Sequence, residues 1–139
     1  MSEQNTENCE KSILHLRQSL MQSLKAVDQE IISRLNKSIP LINDIGKHLI
    51  NASGKRLRPL LTLAMAAQFN NYSKNPILLA AAVEFIHAAT LLHDDVVDIS
   101  KDRRGKLTAN EVWGNKTSVL VGDFLFSRSF QLMTKYGTL

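Results

Sequence analysis

Cysteine, proline and glycine are all scarce in this sequence. Cys9 is the single cysteine among 139 residues, so no disulfide can form within the chain, and a reducing compartment fits this composition. The 3 prolines and 6 glycines stand at apparent segment boundaries, which favours long helices over many short strands. We therefore expect an all-α protein.

The sequence also shows no recognisable secretory leader or membrane span. Residues 1–10 are polar, with neither a basic stretch nor an apolar one, so we expect them to be disordered rather than a signal peptide. The longest apolar runs, such as residues 60–67, fall well short of the ~20 residues that a membrane span needs. We expect a cytoplasmic protein.

The positive charge is concentrated in two short clusters, although the net charge is only +4. Either cluster suits an anionic ligand, and either is also compatible with a solvated surface. Neither contains interleaved aromatic residues, and no nucleic-acid motif is present, so we expect no nucleic-acid partner. The clusters are Lys55, Arg56 and Arg58, and then Lys101, Arg103, Arg104 and Lys106.

Apolar residues recur every three or four positions through most of the chain, which predicts amphipathic helices. The helix after Pro76 is rich in alanine and leucine on nearly all sides, so it should be central and buried. A charged loop with Gly105 should follow it. We expect one domain, residues 1–139, with helices at about 12–36, 40–51, 59–69, 77–99 and 116–135.

Three aspartates stand at the end of the apolar helix predicted for residues 77–99. Asp94 and Asp98 are four residues apart and share one face, and Asp95 flanks that face. Carboxylates crowded at an apolar helix end repel one another, and a divalent cation relieves that repulsion. Oxygen ligands alone favour Mg²⁺, which commonly bridges carboxylates to substrate phosphates. The alternative is a solvated acidic helix end with arginine partners.

Cations flank these aspartates on both sides in the sequence. Arg103 and Arg104 follow Asp98 closely, which makes a metal and arginine site for a diphosphate plausible. Lys55 and Arg58 lie at a loop-to-helix junction, where free backbone amides add a preference for anions and suggest a second diphosphate site. His87 lies two turns before Asp94, and it is either a core residue or a ligand-binding residue.

Several of these runs together resemble the trans-isoprenyl diphosphate synthases, the polyprenyl synthetase family. The matching segments occur in the order and spacing of the family, from about residue 45 to the end. The resemblance implies an all-α isoprenoid synthase bundle, of which this chain is the N-terminal portion. The segments are residues 54–59, 86–98, 103–106, 108–110 and 119–124.

The resemblance also implies the reaction and the residues that serve it. An allylic diphosphate ionises, its cation alkylates isopentenyl diphosphate, and a proton is lost, with released diphosphate as the base, so no side chain is assigned as general base. Arg56 is expected to have no direct role. The resemblance implies that Asp94 and Asp98 bind Mg²⁺, with Asp95 assisting, and that Arg103 binds the allylic diphosphate. It implies that isopentenyl diphosphate is bound by Lys55, Arg58, His87 and Arg104.

Two small residues near the aspartates bear on product length. Ala89 and Thr90 stand five and four positions before Asp94, where the resemblance places aromatic residues in short-chain enzymes. Small residues would leave a tunnel open, so we expect a product of roughly 30 to 50 carbons, with about 40 favoured by the resemblance.

The resemblance covers only part of a family member. The family carries a second aspartate-rich motif on a later helix, and Asp102 and Asp123 are isolated here. We expect a truncated or split synthase that is inactive alone, or a non-catalytic helical subunit. The family suggests a homodimer, and a complementing chain is possible.

Two other enzyme classes remain as alternatives. His93-Asp94 with His87 suggests an HD-type metal phosphohydrolase, for which His48 and Asp123 are the only further candidates. A terpene cyclase shares an aspartate-rich motif, but Lys55 and Arg58 argue for a second diphosphate and therefore against a cyclase.

Overall fold

The computed structural model describes residues 3–37, 39–52 and 54–137, and within them it contains seven helices and one short β-hairpin. The expectation of an all-α protein is confirmed. The elements in chain order are α1 (Glu3–Ser19), α2 (Met21–Asn36), α3 (Pro40–Ala52), α4 (Leu57–Gln68), α5 (Asn75–Val97), β1 (Asp102–Arg103), β2 (Lys106–Leu107), α6 (Ala109–Trp113) and α7 (Asn115–Tyr136).

Helix α5 is the centre of the packing, as its composition predicts. It begins with Pro76 in its first turn and packs against α2, α4 and α7. Ala80, Ala81 and Ala82 are completely buried, and their small side chains allow close approach of the neighbouring helices. Gly122 of α7 lies directly against the ring of His93, where the Cβ atom of any other residue would clash with Nε2. The core therefore fixes α5 rigidly.

Three boundaries differ from the sequence-based expectations. Residues 3–10, which we expected to be disordered, belong to α1, while Met1 and Ser2 lie outside the described residues. The single helix expected from residue 12 to 36 is divided at Leu20. The Ser19 hydroxyl donates to the Leu16 carbonyl at 2.8 Å, a local bond of the kind that bends helices. The expected loop 100–108 contains the hairpin β1–β2.

Helix α5 is long and apolar enough to cross a membrane if length and composition alone are considered, contrary to our expectation from the apolar runs. Half of its most apolar window is buried inside the protein, however. The core helix of a folded domain meets the same criterion, and the packing of α5 against three other helices is that of a core helix.

An apolar stripe on α4 faces solvent. Leu57, Leu61, Met65 and the following Phe69 recur at every fourth position, and all four are exposed. Contiguous exposed apolar side chains of this kind are typical of protein–protein interaction surfaces.

Candidate functional site

The end of α5 keeps Asp94 and Asp98 in helical register. The Asp98 amide donates to the Asp94 carbonyl at 2.8 Å, so the helical bond pattern continues to Asp98. The next two amides, of Ile99 and Ser100, donate to the carbonyls of Val96 and Asp95 at 3.3 and 2.9 Å. This is a Schellman cap, and Ile99 occupies its left-handed position with φ 53°. Asp94 and Asp98 are therefore presented on one face.

Burial separates the three aspartates into two groups. Asp94 and Asp98 are exposed, whereas Asp95 is only 1% exposed. Arg103 donates to both oxygens of Asp95, from Nη2 to Oδ1 at 2.6 Å and from Nε to Oδ2 at 3.3 Å. The geometry does not support the predicted assisting role of Asp95 in metal binding, because Arg103 occupies both of its oxygens.

Arg103 is held beside the two exposed aspartates. Its side chain is 34% exposed, so the guanidinium is fixed by Asp95 but still reaches solvent. Hydrogen bonding to Asp95 raises the pKa of Arg103 above its ordinary value, and the charges of Asp94 and Asp98 contribute in the same direction. A permanently charged guanidinium beside two free carboxylates is suited to a ligand that carries both phosphate and a divalent cation.

The hairpin β1–β2 places Arg104 differently from Arg103. Arg104 and Gly105 form a two-residue turn, both with positive φ (55° and 76°), as a type I′ turn requires. The Gly105 amide donates to Asp102 Oδ1 at 3.1 Å. The Thr108 hydroxyl donates to the Ser100 carbonyl at 2.7 Å and so ties the base of the hairpin to the end of α5.

Arg104 reaches across to the loop before α4. Its Nη1 atom lies where the Cβ atom of any other residue at position 54 would stand, so the missing side chain of Gly54 leaves the space that the guanidinium occupies. The guanidinium of Arg104 is therefore brought beside Lys55 and Arg58, although the sequence separates them by more than forty residues.

An open cleft of about 420 Å³ lies between this loop, α5 and the hairpin tip. The cleft brings together all four residues that were predicted to bind isopentenyl diphosphate. It is lined by Gly54, Lys55, Arg56, Leu57, Arg58, Glu84, His87 and Arg104.

Burial and the cations of the cleft affect the pKa of His87. Burial lowers the pKa of its imidazole below the ordinary value of 6.5, and the charges of Arg58, Arg103 and Arg104 lower it further, while Glu84 opposes them. The ring is therefore neutral at neutral pH and can donate one hydrogen bond without adding charge.

Arg56 differs from the other cations of the cleft because two carboxylates hold it. Its Nη1 lies 2.9 Å from Glu84 Oε2, and its Nη2 lies 3.1 Å from Asp28 Oδ1. This arrangement fits the prediction that Arg56 has no direct role in binding ligand. Sequence reasoning missed Glu84 and Asp28, although a glutamate inside the alanine-rich α5 was a signal that a buried cation lies nearby.

The metal-binding potential of the site rests on two carboxylates. Among the residues that the structure describes, no group of three or more His, Cys, Asp or Glu side chains converges as a metal cluster. Asp94 and Asp98 alone nevertheless suit Mg²⁺, which keeps several waters and takes its remaining oxygens from substrate phosphates. The residues present therefore fit a magnesium and diphosphate pair better than an ion enclosed by protein.

The histidines do not form the site of a metal phosphohydrolase. His93 Nε2 lies 3.4 Å from Asp123 Oδ1 and 3.2 Å from the Val119 carbonyl, so it bridges α5 and α7. His48 instead meets the Leu107 carbonyl at 2.9 Å and the edge of the Trp113 ring. His93 and His48, which were candidates for a phosphohydrolase site, therefore contact different parts of the protein.

The two residues predicted to set product length have different surroundings. Thr90 is partly exposed, and its hydroxyl donates to the His87 carbonyl at 2.8 Å. Ala89 is completely buried and lies about 140° around α5 from Asp94, whereas Thr90 lies only about 40° away. Thr90 is thus the one of the pair on the aspartate side of the helix.

Comparisons with known proteins bear on the family and the fold of the chain. A family model described as polyprenyl synthetase matches residues 39–139. The octaprenyl diphosphate synthase of Escherichia coli K12 is 49% identical over 119 residues, which cover 85% of this chain and 36% of that protein. The chain thus spans little more than a third of the length of this relative.

Solved structures with the same fold come from longer proteins as well. The crystal structure of a decaprenyl diphosphate synthase from Rhodobacter capsulatus has a TM-score of 0.85 and 54% identity, and covers 91% of this chain and 39% of that one. A polyprenyl synthase from Caulobacter crescentus, crystallised with calcium and isoprenyl diphosphate, has a TM-score of 0.86 and 46% identity with the same coverage.

Proposed function

The chain belongs to the polyprenyl synthetase family, and from that premise we propose that it supplies diphosphate-binding residues of a long-chain trans-prenyl diphosphate synthase. The observation that carries the proposal is the cleft in which Lys55, Arg58, His87 and Arg104 converge. His87 lies two helical turns before Asp94 on α5, and Asp94 and Asp98 are exposed. One cationic surface next to one acidic surface accounts for two substrates, one bound directly and one through a metal ion.

The cleft is proposed to bind isopentenyl diphosphate. Lys55, Arg58 and Arg104 contribute three positive charges, and a diphosphate neutralises most of them. His87 donates a hydrogen bond without competing for charge, because its ring is neutral before the ligand arrives. The ligand's own negative charge would favour protonation of that ring and strengthen the contact.

The aspartate end of α5 is proposed to bind the allylic diphosphate. Asp94 and Asp98 would hold Mg²⁺, which supplies charge neutralisation to the diphosphate as it leaves. Arg103, which is held by Asp95, would donate to the same diphosphate. The similar synthase from Caulobacter crescentus, which was crystallised with both calcium and isoprenyl diphosphate, supports a divalent cation as the partner of the substrate.

The reaction that follows from these two sites is head-to-tail condensation. The allylic carbon–oxygen bond breaks, and its electron pair leaves with the diphosphate. The double bond of isopentenyl diphosphate then forms the new carbon–carbon bond, and the resulting cation loses a proton. Arg103 stabilises the departing charge by donating to the diphosphate, while the cleft orients the acceptor. The released diphosphate is the proposed base.

The product is proposed to be a long polyprenyl diphosphate, with octaprenyl the leading candidate. The relative from Escherichia coli is an octaprenyl diphosphate synthase, and the structure from Rhodobacter capsulatus is a decaprenyl diphosphate synthase. Thr90 is a small residue on the aspartate side of α5, which is compatible with a long chain. The apolar cavity beside Phe85, Ala88 and Leu91 holds only about 20 Å³, so the tunnel is not formed by these residues alone.

Binding of isopentenyl diphosphate by isothermal titration calorimetry tests the proposal. Lys55→Ala and Arg58→Ala should each weaken binding about ten- to a hundredfold, because each removes a charge-assisted contact. Lys47→Ala, on the exposed face of α3, is the matched control and should leave the affinity unchanged. Equal affinities of all three variants and the wild type would contradict the assignment of the cleft.

Turnover by the 139 residues alone is proposed to be low, because they present a single pair of exposed carboxylates for metal at the α5 end. Incorporation of labelled isopentenyl diphosphate by the purified chain measures this. Robust formation of polyprenyl product, free of host synthase, would overturn the expectation that the chain needs a complement.

A further inference from the structure

Arg56 connects three helices by two ion pairs at the back of the cleft. Arg56 precedes α4, Glu84 belongs to α5, and Asp28 belongs to α2. The Arg56 and Glu84 side chains are 13% and 8% exposed, whereas Asp28 is 44% exposed. A guanidinium can serve two carboxylates at once because its donors point in several directions, and an ammonium on a flexible stem does so less well.

The backbone at Arg56 has an unfavourable conformation. Its φ of 49° and ψ of 38° place it in the left-handed region, at the N-terminal cap of α4. For a residue with a side chain this conformation is strained, so the surrounding contacts must hold it in place. Arg17 of α1 donates to the carbonyl of the adjacent Lys55, which adds a further tie to the same segment.

The ion pairs lie between the two ligand-facing cations of this segment. Lys55 precedes Arg56 and Arg58 follows it by two residues, and all three line the cleft. Any rotation of the backbone at Arg56 would therefore move both Lys55 and Arg58 away from the positions from which they converge with Arg104.

We propose that Glu84 and Asp28 act through Arg56 as positioning residues, which hold the segment 54–58 in the conformation that presents Lys55 and Arg58 to a diphosphate. The inference deepens the proposed function, since it takes the cleft to be the isopentenyl diphosphate site. Glu84 touches no substrate in this account, and its effect on ligand is transmitted by the Arg56 side chain.

The direction in which Glu84→Gln changes the affinity for an anion distinguishes a positioning role from a purely electrostatic one. Glu84 lines a cation-rich cleft, so removing its negative charge should by itself strengthen the binding of an anion. If Glu84 positions the segment, the same change should weaken binding, because Lys55 and Arg58 lose their alignment. The two accounts predict opposite directions for Glu84→Gln.

Isothermal titration calorimetry with inorganic pyrophosphate at fixed ionic strength measures whether the affinity rises or falls. We expect about tenfold weaker binding for Glu84→Gln and about threefold weaker binding for the milder, partly exposed Asp28→Asn. Arg56→Lys conserves charge but cannot bridge both carboxylates, and it should also bind more weakly. Glu30→Gln, which removes the ion pair with Arg34 on α2, is the matched control. Unchanged or tighter binding by Glu84→Gln and Arg56→Lys would overturn the proposal.

A second measurement needs no ligand. Amide hydrogen exchange of residues 54–60 should become about tenfold faster in Glu84→Gln and Arg56→Lys, with exchange in α7 unchanged and helix content retained by circular dichroism. Unchanged exchange in this segment would contradict the positioning role. Asp28→Asn decides the question if Glu84→Gln does not fold. Failure of the wild-type chain to bind pyrophosphate would count against the proposed function, and the exchange result would still judge the positioning role.

Discussion

At the scale of single residues, three neighbouring aspartates differ in their burial and therefore in their contacts. Asp95 is enclosed and gives both oxygens to Arg103, while Asp94 and Asp98 keep theirs for solvent or for a ligand. The spacing of the three residues predicted that Asp94 and Asp98 share a face. It did not predict the Asp95 pair, because that contact depends on a hairpin that folds back eight residues later.

Asp95→Asn should therefore destabilise the protein, whereas Asp94→Asn should not. Loss of a buried charged partner leaves Arg103 with weaker hydrogen bonds, and we expect the free energy of unfolding to fall by about 2 kcal/mol. Asp94→Asn removes an exposed charge beside Asp98, and should change it by less than about 0.5 kcal/mol. Urea denaturation compares the two. Equal losses of unfolding free energy in both variants would contradict the distinction between a buried Asp95 and an exposed Asp94.

His87 should make stability depend on pH. The folded-state pKa lies below 6.5, the value for the unfolded chain, so the unfolded chain binds the proton more readily. The stabilising contribution of the neutral ring is therefore present above pH 6.5 and is lost as the pH falls below it. His87→Gln should show a smaller loss of unfolding free energy than the wild type between about pH 7.5 and 5.5.

Urea denaturation at the two pH values measures this effect, with His15→Gln on the exposed face of α1 as the control. Addition of pyrophosphate should raise the pKa of His87, followed by its imidazole proton signals, because a bound anion favours the charged ring. An unaltered pH dependence in His87→Gln would show that burial and the cations of the cleft together do not lower the pKa of this ring.

At the scale of elements, the cap of α5 stores strain next to the aspartates. Ile99 has φ 53°, in a position where helices usually have glycine, and its side chain is 75% exposed, so packing contributes little there. The carbonyls of Asp95 and Val96 depend on this turn for their partners. The cap therefore helps to set where Asp98 lies.

Ile99→Gly should stabilise the protein by up to about 1 kcal/mol. Relief of the left-handed strain is worth roughly 1–2 kcal/mol, and the added freedom of the unfolded chain subtracts about 0.5–1 kcal/mol. Val97→Gly, at the equally exposed last residue of α5, should instead cost up to about 1 kcal/mol. Urea denaturation of the pair tests the cap, and a loss in Ile99→Gly as large as that in Val97→Gly would contradict it.

Ala89 and Thr90, the two residues predicted to set product length, lie on different sides of α5. In a complete, active version of the enzyme, Thr90→Phe should shorten the product by several five-carbon units, because an aromatic ring then fills the aspartate side of the helix. Ala89→Phe would overpack a completely buried site and should cost roughly 1–3 kcal/mol of stability. Chromatography of the products, with denaturation of both variants, distinguishes them. Unchanged product length in Thr90→Phe would refute the steric argument.

The elements also show how far the sequence alone could lead. The helices were predictable because apolar residues at intervals of three and four have one stable arrangement, and α5 was recognised as central from its alanines and leucines. The hairpin was not, because strands of two residues have no periodicity and Arg104-Gly105 is not the usual Asn-Gly turn. Arg56, Glu84 and Asp28 come together only through tertiary packing, which periodicity does not encode.

At the scale of the whole molecule, two exposed surfaces among the described residues bear on function. One is the cleft with its neighbouring aspartates, and the other is the apolar stripe of α4 that begins at Leu57. The relative from Escherichia coli is nearly three times as long as the matched region, which is 36% of it. We expect the first surface to bind ligand in this chain by itself, since its residues are all present and already converge.

The most direct test of the account is magnesium-dependent binding of an allylic diphosphate to the 139-residue chain. Isothermal titration with geranyl diphosphate should show binding in Mg²⁺ that disappears with a chelator and weakens at least about tenfold in Asp94→Ala. Asp44→Ala, an exposed aspartate on α3, should bind as the wild type does. Binding that is equally tight without Mg²⁺ and in Asp94→Ala would contradict the central claim that the aspartates at the end of α5 hold a diphosphate through the metal.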